Sequence, residues 1–286
     1  MMRRFKNNLK FILPSLFFAV AVLVWYAVFC ENRKGLEVDF LDVGQGDAIF
    51  IQAENGNQVL LDAGEGKAVL RELAEIMPFY DRSIDGLILS HPHSDHLAGF
   101  LEVLKRYKVG IVIEPCLETD SPEYKEWLTL VEENKISRVC AKKGETIDIG
   151  SGLVLDIILP VGEISGRKEH DAMLAAKLSY GKTSFLFTGD MEKNLENYLA
   201  SVYKTDLKSN VLKIGHHGSD TSTSEMFLGY VSPEYAVIPV GEKNKYGHPK
   251  NVILERLEKF GVKIFRTDQS GLLKFKSDGS RVLLAN

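Results

Sequence analysis

Cysteine is scarce in this 286-residue chain: Cys30, Cys116 and Cys140 are the only three, and they form no C-x-x-C pair. With two of them in the body of the chain, a disulfide framework is not expected. Internal repeats and low-complexity tracts are absent, and no stretch of residues 36–286 reads as a linker. These absences leave one compact domain, with 45% hydrophobic residues to build its core.

Charge is missing altogether from Phe11 to Phe29, and Arg3, Arg4, Lys6 and Lys10 precede that run. This pattern predicts a single membrane-spanning helix with its N-terminus in the cytoplasm and the remainder outside the cell. A cleaved signal peptide followed by secretion is the competing reading. The apolar run exceeds a usual signal core, and Ala27-Val28-Phe29 ends in a bulky residue where cleavage wants a small one. Residues 1–34 are therefore read as tail, anchor and joint, and residues 35–286 as the functional domain.

The body carries 29 basic against 38 acidic side chains, a net of −9. Glu242 to Arg281 reverses that balance, with ten Lys or Arg against five Asp or Glu. Either a local polyanion-binding patch or an ordinary solvated helix face, with Arg256 and Lys259 interleaved with Glu255 and Glu258, accounts for it. Few aromatics interleave with these cations, chiefly Tyr246, Phe260, Phe265 and Phe275.

Hydrophobic periodicity predicts strands at 36–41, 48–53, 58–61, 84–89, 109–113, 137–140, 153–159, 174–180 and 184–188. Further strands are expected at 211–214, 235–239, 262–266, 272–276 and 281–284. Helices are expected over 66–76, from about 97 to 107, over 122–133, from 192, near 225 and over 251–260. Two strand-rich runs, each followed by alternating helices, predict two packed sheets with helices outside.

Against this background Ser90-His91-Pro92-His93-Ser94-Asp95-His96 places three imidazoles and a carboxylate within six positions. A helix cap needs one such residue, not four, whereas imidazole and carboxylate suit a zinc-like ion. The alternation of His91 and His93 with Asp95 and His96 lets one loop serve two neighbouring ions. Asp190, after the apolar Phe185-Leu186-Phe187, offers one oxygen to each. His216 and His217 add imidazoles, and the Gly218-Ser219 turn after them offers amides and a hydroxyl to an anionic oxygen. Asp62 suits orienting a ligand histidine better than binding metal, and a simple turn aspartate before Gly64 is the alternative. His170 lies in a polar loop, where a solvated histidine and a ligand are equally compatible.

In order, Asp62, the His91-x-His93-x-Asp95-His96 run, Asp190 and His216-His217 resemble the motifs of the metallo-β-lactamase-fold hydrolases. Phe40-Leu41-Asp42-Val43-Gly44-Gln45-Gly46-Asp47, His216-His217-Gly218-Ser219, Tyr246-Gly247-His248-Pro249 and Arg266-Thr267-Asp268 are similar to the extracellular hydrolase domain of the ComEC competence DNA-uptake family. The resemblance covers about residues 36–284. It implies an α/β (α+β) four-layer αββα sandwich, here preceded by the N-terminal transmembrane helix, with two divalent ions at one edge. His91, His93 and His170 would hold the first ion; Asp95, His96 and one of His216 or His217 the second; Asp190 would bridge. Asp95 and Asp190, with His217 or His248, would then carry the chemistry, and Gly218, Ser219, Lys245 and Lys250 would contact substrate. Affinity order favours zinc over manganese. The sequence departs from the family pattern at His170-Asp171-Ala172-Met173, and it has one apolar segment where the family has a many-helix channel.

The expected activity is that of a membrane-anchored, extracytoplasmic, metal-dependent phosphodiesterase or nuclease. Its expected substrate is DNA, as a single strand or a short end passing residues 242–281. A cell-envelope phosphoesterase of the teichoic-acid choline-phosphate type is the enzymatic alternative. An inactive, metal-bearing ectodomain that captures DNA or a partner is the non-enzymatic one.

Overall fold

The computed structural model describes residues 11–25, 35–160, 162 and 172–285. Residues 1–35 and 36–286 form two separate units. In the first, residues 11–25 are helical (α1). Among the described residues no helix is long and apolar enough to cross a membrane. Residues 26–29 of the expected anchor lie outside the described residues.

The second unit contains two sheets. The first is built from β1 (Leu36–Phe40), β2 (Ala48–Gln52), β3 (Gln58–Ala63), β4 (Ser83–Ile88), β5 (Lys108–Glu114) and β6 (Ser137–Cys140). The second begins with β7 (Thr146–Gly150), β8 (Leu153–Leu159), β9 (Ala175–Tyr180) and β10 (Thr183–Phe187), and adds β11 (Val211–Lys213), β12 (Tyr235–Ile238) and β13 (Lys263–Arg266). The chain then returns to the first sheet through β14 (Leu273–Ser277) and β15 (Val282–Ala285). The strand orders are β15-β14-β1-β2-β3-β4-β5-β6 and β13-β12-β11-β10-β9-β8-β7. Expectation and structure differ at β7: Thr-Ile-Asp-Ile-Gly is a mostly exposed edge strand whose short alternation resembles a loop.

Side chains of alternating sign account for the layering. Leu36, Val38 and Phe40 turn inward to meet Phe185, Phe187 and Phe275 between the sheets. Phe40 lies edge-on to Phe275, with centroids 5.8 Å apart. Burying each such ring contributes roughly 1.5–3 kcal/mol. Outside the first sheet, α2 (Ala68–Ile76), α3 (Ser94–Leu104) and α4 (Pro122–Glu133) bury a second apolar cluster that includes the stacked Phe100 and Trp127. Helices α5 (Lys193–Tyr203), α6 (Glu225–Val231) and α7 (Asn251–Lys259) cover the other sheet. The result is the expected αββα sandwich.

Parallel pairing runs through β3-β4-β5-β6 in one sheet and β10-β11-β12-β13 in the other. The C-terminal ends of these strands supply the loops of the site, as is usual for parallel sheets. One feature overturns the reading of the cysteines: Cys116 and Cys140 form a disulfide, with Cα atoms 5.2 Å apart. Although 24 residues separate them, β5 and β6 are parallel neighbours with Glu114 opposite Cys140. Spacing along the chain concealed that adjacency.

Candidate metal centre

After β4 the chain turns through Ser90 into α3, so His91 and His93 stand on the loop and Asp95 and His96 on the first helical turn. Asp62, at the end of β3, fixes that loop. Its Oδ1 accepts from the Ser90 amide at 2.7 Å and its Oδ2 from the Ser90 hydroxyl at 2.6 Å. His96 Nδ1 lies 2.8 Å from the same Oδ2, which leaves His96 Nε2 free to face the site. The preceding loop, Leu41 to Asp47, presses on this helix turn. At Gly46, with φ +117°, a Cβ would sit 2.0 Å from the Asp95 carbonyl oxygen.

From the second sheet, Asp190 follows β10 and the two histidines follow β11. His216 and His217 both adopt left-handed backbone, with φ 49° and 51°, a conformation that costs non-glycine residues about 1–3 kcal/mol and gathers at functional sites. Their rings therefore diverge. His217 is buried, its Nδ1 is 2.9 Å from the Pro239 carbonyl, and its Nε2 lies 3.4 Å from both Asp95 Oδ2 and Asp190 Oδ1. His216 Nε2 stands 3.9 Å from Asp190 Oδ2, and its Nδ1 is 3.5 Å from Glu192.

Besides the buried set Asp47, Asp62 and His96, two donor groups result. Asp95, His96, Asp190 and His217 form one; His91, His93 and Asp190 form the other, with Asp190 common to both. The imidazole of the pair that joins the first group is thus His217, and His216 lies outside both. His170 lies outside the described residues.

The donor chemistry fits divalent cations. His96 Nε2, His217 Nε2 and Asp190 Oδ1 are buried and have no hydrogen-bond partner among the described residues, although buried polar atoms are ordinarily paired. Burial opposes ionisation of Asp190, yet the His217 and His96 rings and the Lys213 ammonium hold its carboxyl well below the usual range. Asp95 is likewise lowered, against burial, mainly by His96 and His217. Those carboxylates in turn raise His96 and His217 despite burial, so metal binding here releases protons. His91 is pushed down by burial and by His96.

A further buried pair supports this arrangement. Lys213 Nζ lies 2.5 Å from both Asp47 Oδ2 and the Gly189 carbonyl, and 3.7 Å from Asp190 Oδ1. Asp47 Oδ1 is 3.4 Å from His217 Nδ1. Sequence reading gave no role to Lys213 or Asp47. The available signal was a lysine closing the apolar Val211-Leu212 and an aspartate following Gly44-Gln45-Gly46.

Other expected contacts are differently placed. The Ser219 amide donates to the His216 carbonyl at 2.8 Å, and the Ser219 hydroxyl lies 3.0 Å from Thr221 Oγ1 and accepts from the Thr221 amide at 3.3 Å. Gly218 is required for close packing, since its Cβ would meet Pro249 at 2.6 Å. His248 lines the cleft beside Tyr246, its ring stacked at 5.8 Å. Burial, together with His216 and Lys250, lowers its pKa to about 4. Lys250 Nζ donates to the Tyr246 carbonyl at 2.7 Å, and Lys245 Nζ stands 5.1 Å from the Tyr246 ring centre.

Most of the basic run at 242–281 is neutralised by ion pairs. Lys259 pairs with Glu225, Lys263 with Glu234, Arg266 with Asp268, Lys274 and Lys276 with Glu37, and Arg281 with Asp278.

Residues 41–166 match the metallo-beta-lactamase superfamily. ComE operon protein 3 of Bacillus subtilis is 30% identical over 86% of this chain and 34% of its own length. Competence protein ComA of Neisseria gonorrhoeae is 34% identical over 86% of this chain and 32% of its own length. The chain thus spans about a third of the curated relatives it matches. CmlA, a diiron β-hydroxylase from Streptomyces venezuelae, shares the fold, with TM-score 0.58 and 16% identity over 88% of this chain and 54% of that one.

Proposed function

For a chain that carries a metallo-β-lactamase domain and is related to the ComEC-family competence proteins, we propose a metal-dependent phosphodiesterase that acts on DNA outside the cytoplasm. The observation that carries this reading is Asp190, common to two donor groups on the buried floor of an open cleft. Two divalent ions held there would supply Lewis acidity to the phosphoryl oxygens and a water of lowered pKa. Around them Asp62 and Ser90 orient His96 and His91, while the Pro239 carbonyl and Asp47 orient His217.

DNA as substrate is supported by the relatives' names as competence proteins. A single strand or short end fits better than a long duplex, because the body is acidic and the cations set against Tyr246 at the cleft are Lys245 and Lys250. The Cys116–Cys140 disulfide supports an oxidising compartment. Residues 11–29, uncharged and preceded by basic residues, would anchor the chain with its N-terminus in the cytoplasm.

The neutralised basic run gives one specific reason for a second reading, a cell-envelope phosphoesterase with a compact substrate. Charge reversal at Lys245 and Lys250 separates the two, since only DNA cleavage should weaken.

The primary test is turnover of bis(p-nitrophenyl) phosphate by the full chain after chelation and re-addition of zinc or manganese, with Asp190→Asn as control. Metal-dependent turnover that vanishes in the control supports the proposal, and labelled single- and double-stranded DNA become the next substrates. Absence of turnover by folded, metal-loaded protein favours a binding role instead.

A further inference from the structure

The Ser219 amide donates to the His216 carbonyl, and the cleft offers a second neutral donor for an anionic substrate oxygen. The cleft above the metal centre, about 240 Å³ in volume, is lined by Gln45, His93, Asp95, Asp190, His216 and His248, with Tyr246 at its rim. Gln45 belongs to the loop between β1 and β2. Its Oε1 accepts from the Gly241 amide at 3.4 Å. Its Nε2 is buried and has no hydrogen-bond partner among the described residues.

An amide N–H withheld from water and left unpaired is costly, and such groups in folded proteins call for an explanation. Around this one, the Asp95 and Asp190 carboxylates already face the histidines, and none accepts from Nε2. Gly46, the next residue, is packed against the Asp95 carbonyl, so the backbone that carries Gln45 is held beside the metal donors. A fixed neutral donor in this position suits an oxygen on which negative charge grows.

We propose that Gln45 is a catalytic residue whose Nε2–H donates to a non-bridging oxygen of the scissile phosphodiester. This rests on the phosphodiesterase reading. In the hydrolysis a P–O bond to the water oxygen forms, the P–O bond to the leaving group breaks, and the leaving oxygen receives the proton that the water loses. Gln45 transfers no proton; it stabilises charge on the oxygen that does not depart.

Two substitutions separate donation from loop support. Gln45→Glu keeps an acceptor for the Gly241 amide and removes the N–H; Gln45→Met removes both. The assays are kcat and KM for bis(p-nitrophenyl) phosphate, bound metal per chain, thermal stability, and calorimetric affinity for inorganic phosphate. We expect kcat to fall on the order of 10²-fold in both variants, with metal content kept and phosphate bound at least ~10-fold more weakly. Wild-type turnover by Gln45→Glu overturns the proposal and leaves Gln45 as a support for Gly241. Loss of metal from both variants also overturns it, by placing Gln45 among the supports of the metal centre. If the wild-type chain turns over nothing, the phosphodiesterase reading fails by itself. Equal phosphate affinity in wild type and variants would then remove Gln45 from the site as well, whereas weaker binding in both would keep it as a phosphoryl-oxygen donor.

Discussion

Lys213 Nζ lies 2.5 Å from Asp47 Oδ2, and neither side chain is exposed to solvent. The pair stands directly behind the metal donors, between Asp190 and His217. Removing one partner of a buried pair leaves the other charge without compensation, at a cost of about 3–5 kcal/mol. Lys213→Met is therefore expected to lower unfolding stability by that amount in urea titration, because Asp47 stays buried. Adding Asp47→Asn should recover part of the loss. A double variant whose loss equals the sum of the two singles would show that the charges do not interact.

His216 and His217 should respond differently to truncation. His217 Nε2 stands 3.4 Å from both Asp95 and Asp190, while His216 Nε2 stands 3.9 Å from Asp190 and its Nδ1 3.5 Å from Glu192. In equilibrium dialysis with zinc, His217→Ala is expected to bind close to one ion per chain fewer than wild type. His216→Ala should keep the wild-type content. Equal loss from the two variants would place both imidazoles in the metal centre.

This difference shows where sequence stops being informative. The His91 to His96 run was legible because four donors lie in one loop, whereas Asp62 before Gly64 fitted a turn nearly as well, and its contacts with Ser90 and His96 decide for orientation. The choice between His216 and His217 depends on two successive left-handed residues, and ring direction cannot be read from a repeated histidine. The basic run at 242–281 left a patch and a solvated face equally open because its partners Glu37, Glu225 and Glu234 are distant in sequence. Strand β7 escaped because only Ile149 of its five residues is buried. Tertiary pairing decided each of these, and none leaves a local signal.

Asp39 gives a pH-dependent test away from the metal centre. It is buried on β1, and Glu37 on the same strand shares its cations Lys274 and Lys276. Burial and the Glu37 charge outweigh those lysines and raise its pKa from 3.8 to about 7. The folded chain thus holds a proton there that the unfolded chain has lost. Its contribution to stability is full below the unfolded value, declines as pH rises through the window, and is gone above the folded value. Asp39→Asn, which cannot ionise, should gain Tm relative to wild type as pH rises from 4 to 8 and hold that gain at higher pH. Parallel Tm curves for the two proteins would rule out a raised Asp39.

The disulfide makes the last prediction, and it bears on where the protein works. Cys116 and Cys140 are 24 residues apart and close a loop that contains α4 and the edge strand β6. Closing a loop of that length restricts the unfolded chain by about 3 kcal/mol. Because β6 has only one strand neighbour, β5, its loss of protection should be local before it is global. Cys116→Ser with Cys140→Ser is expected to lose about 3 kcal/mol of stability and to exchange the β6 amides faster while β1 stays protected. Reducing agent should give the wild-type chain the same behaviour. If the bond is a structural staple, the domain reaches full stability only where thiols are oxidised, which favours the extracytoplasmic side. Unchanged stability on reduction would remove that support and return the question of compartment to residues 11–29.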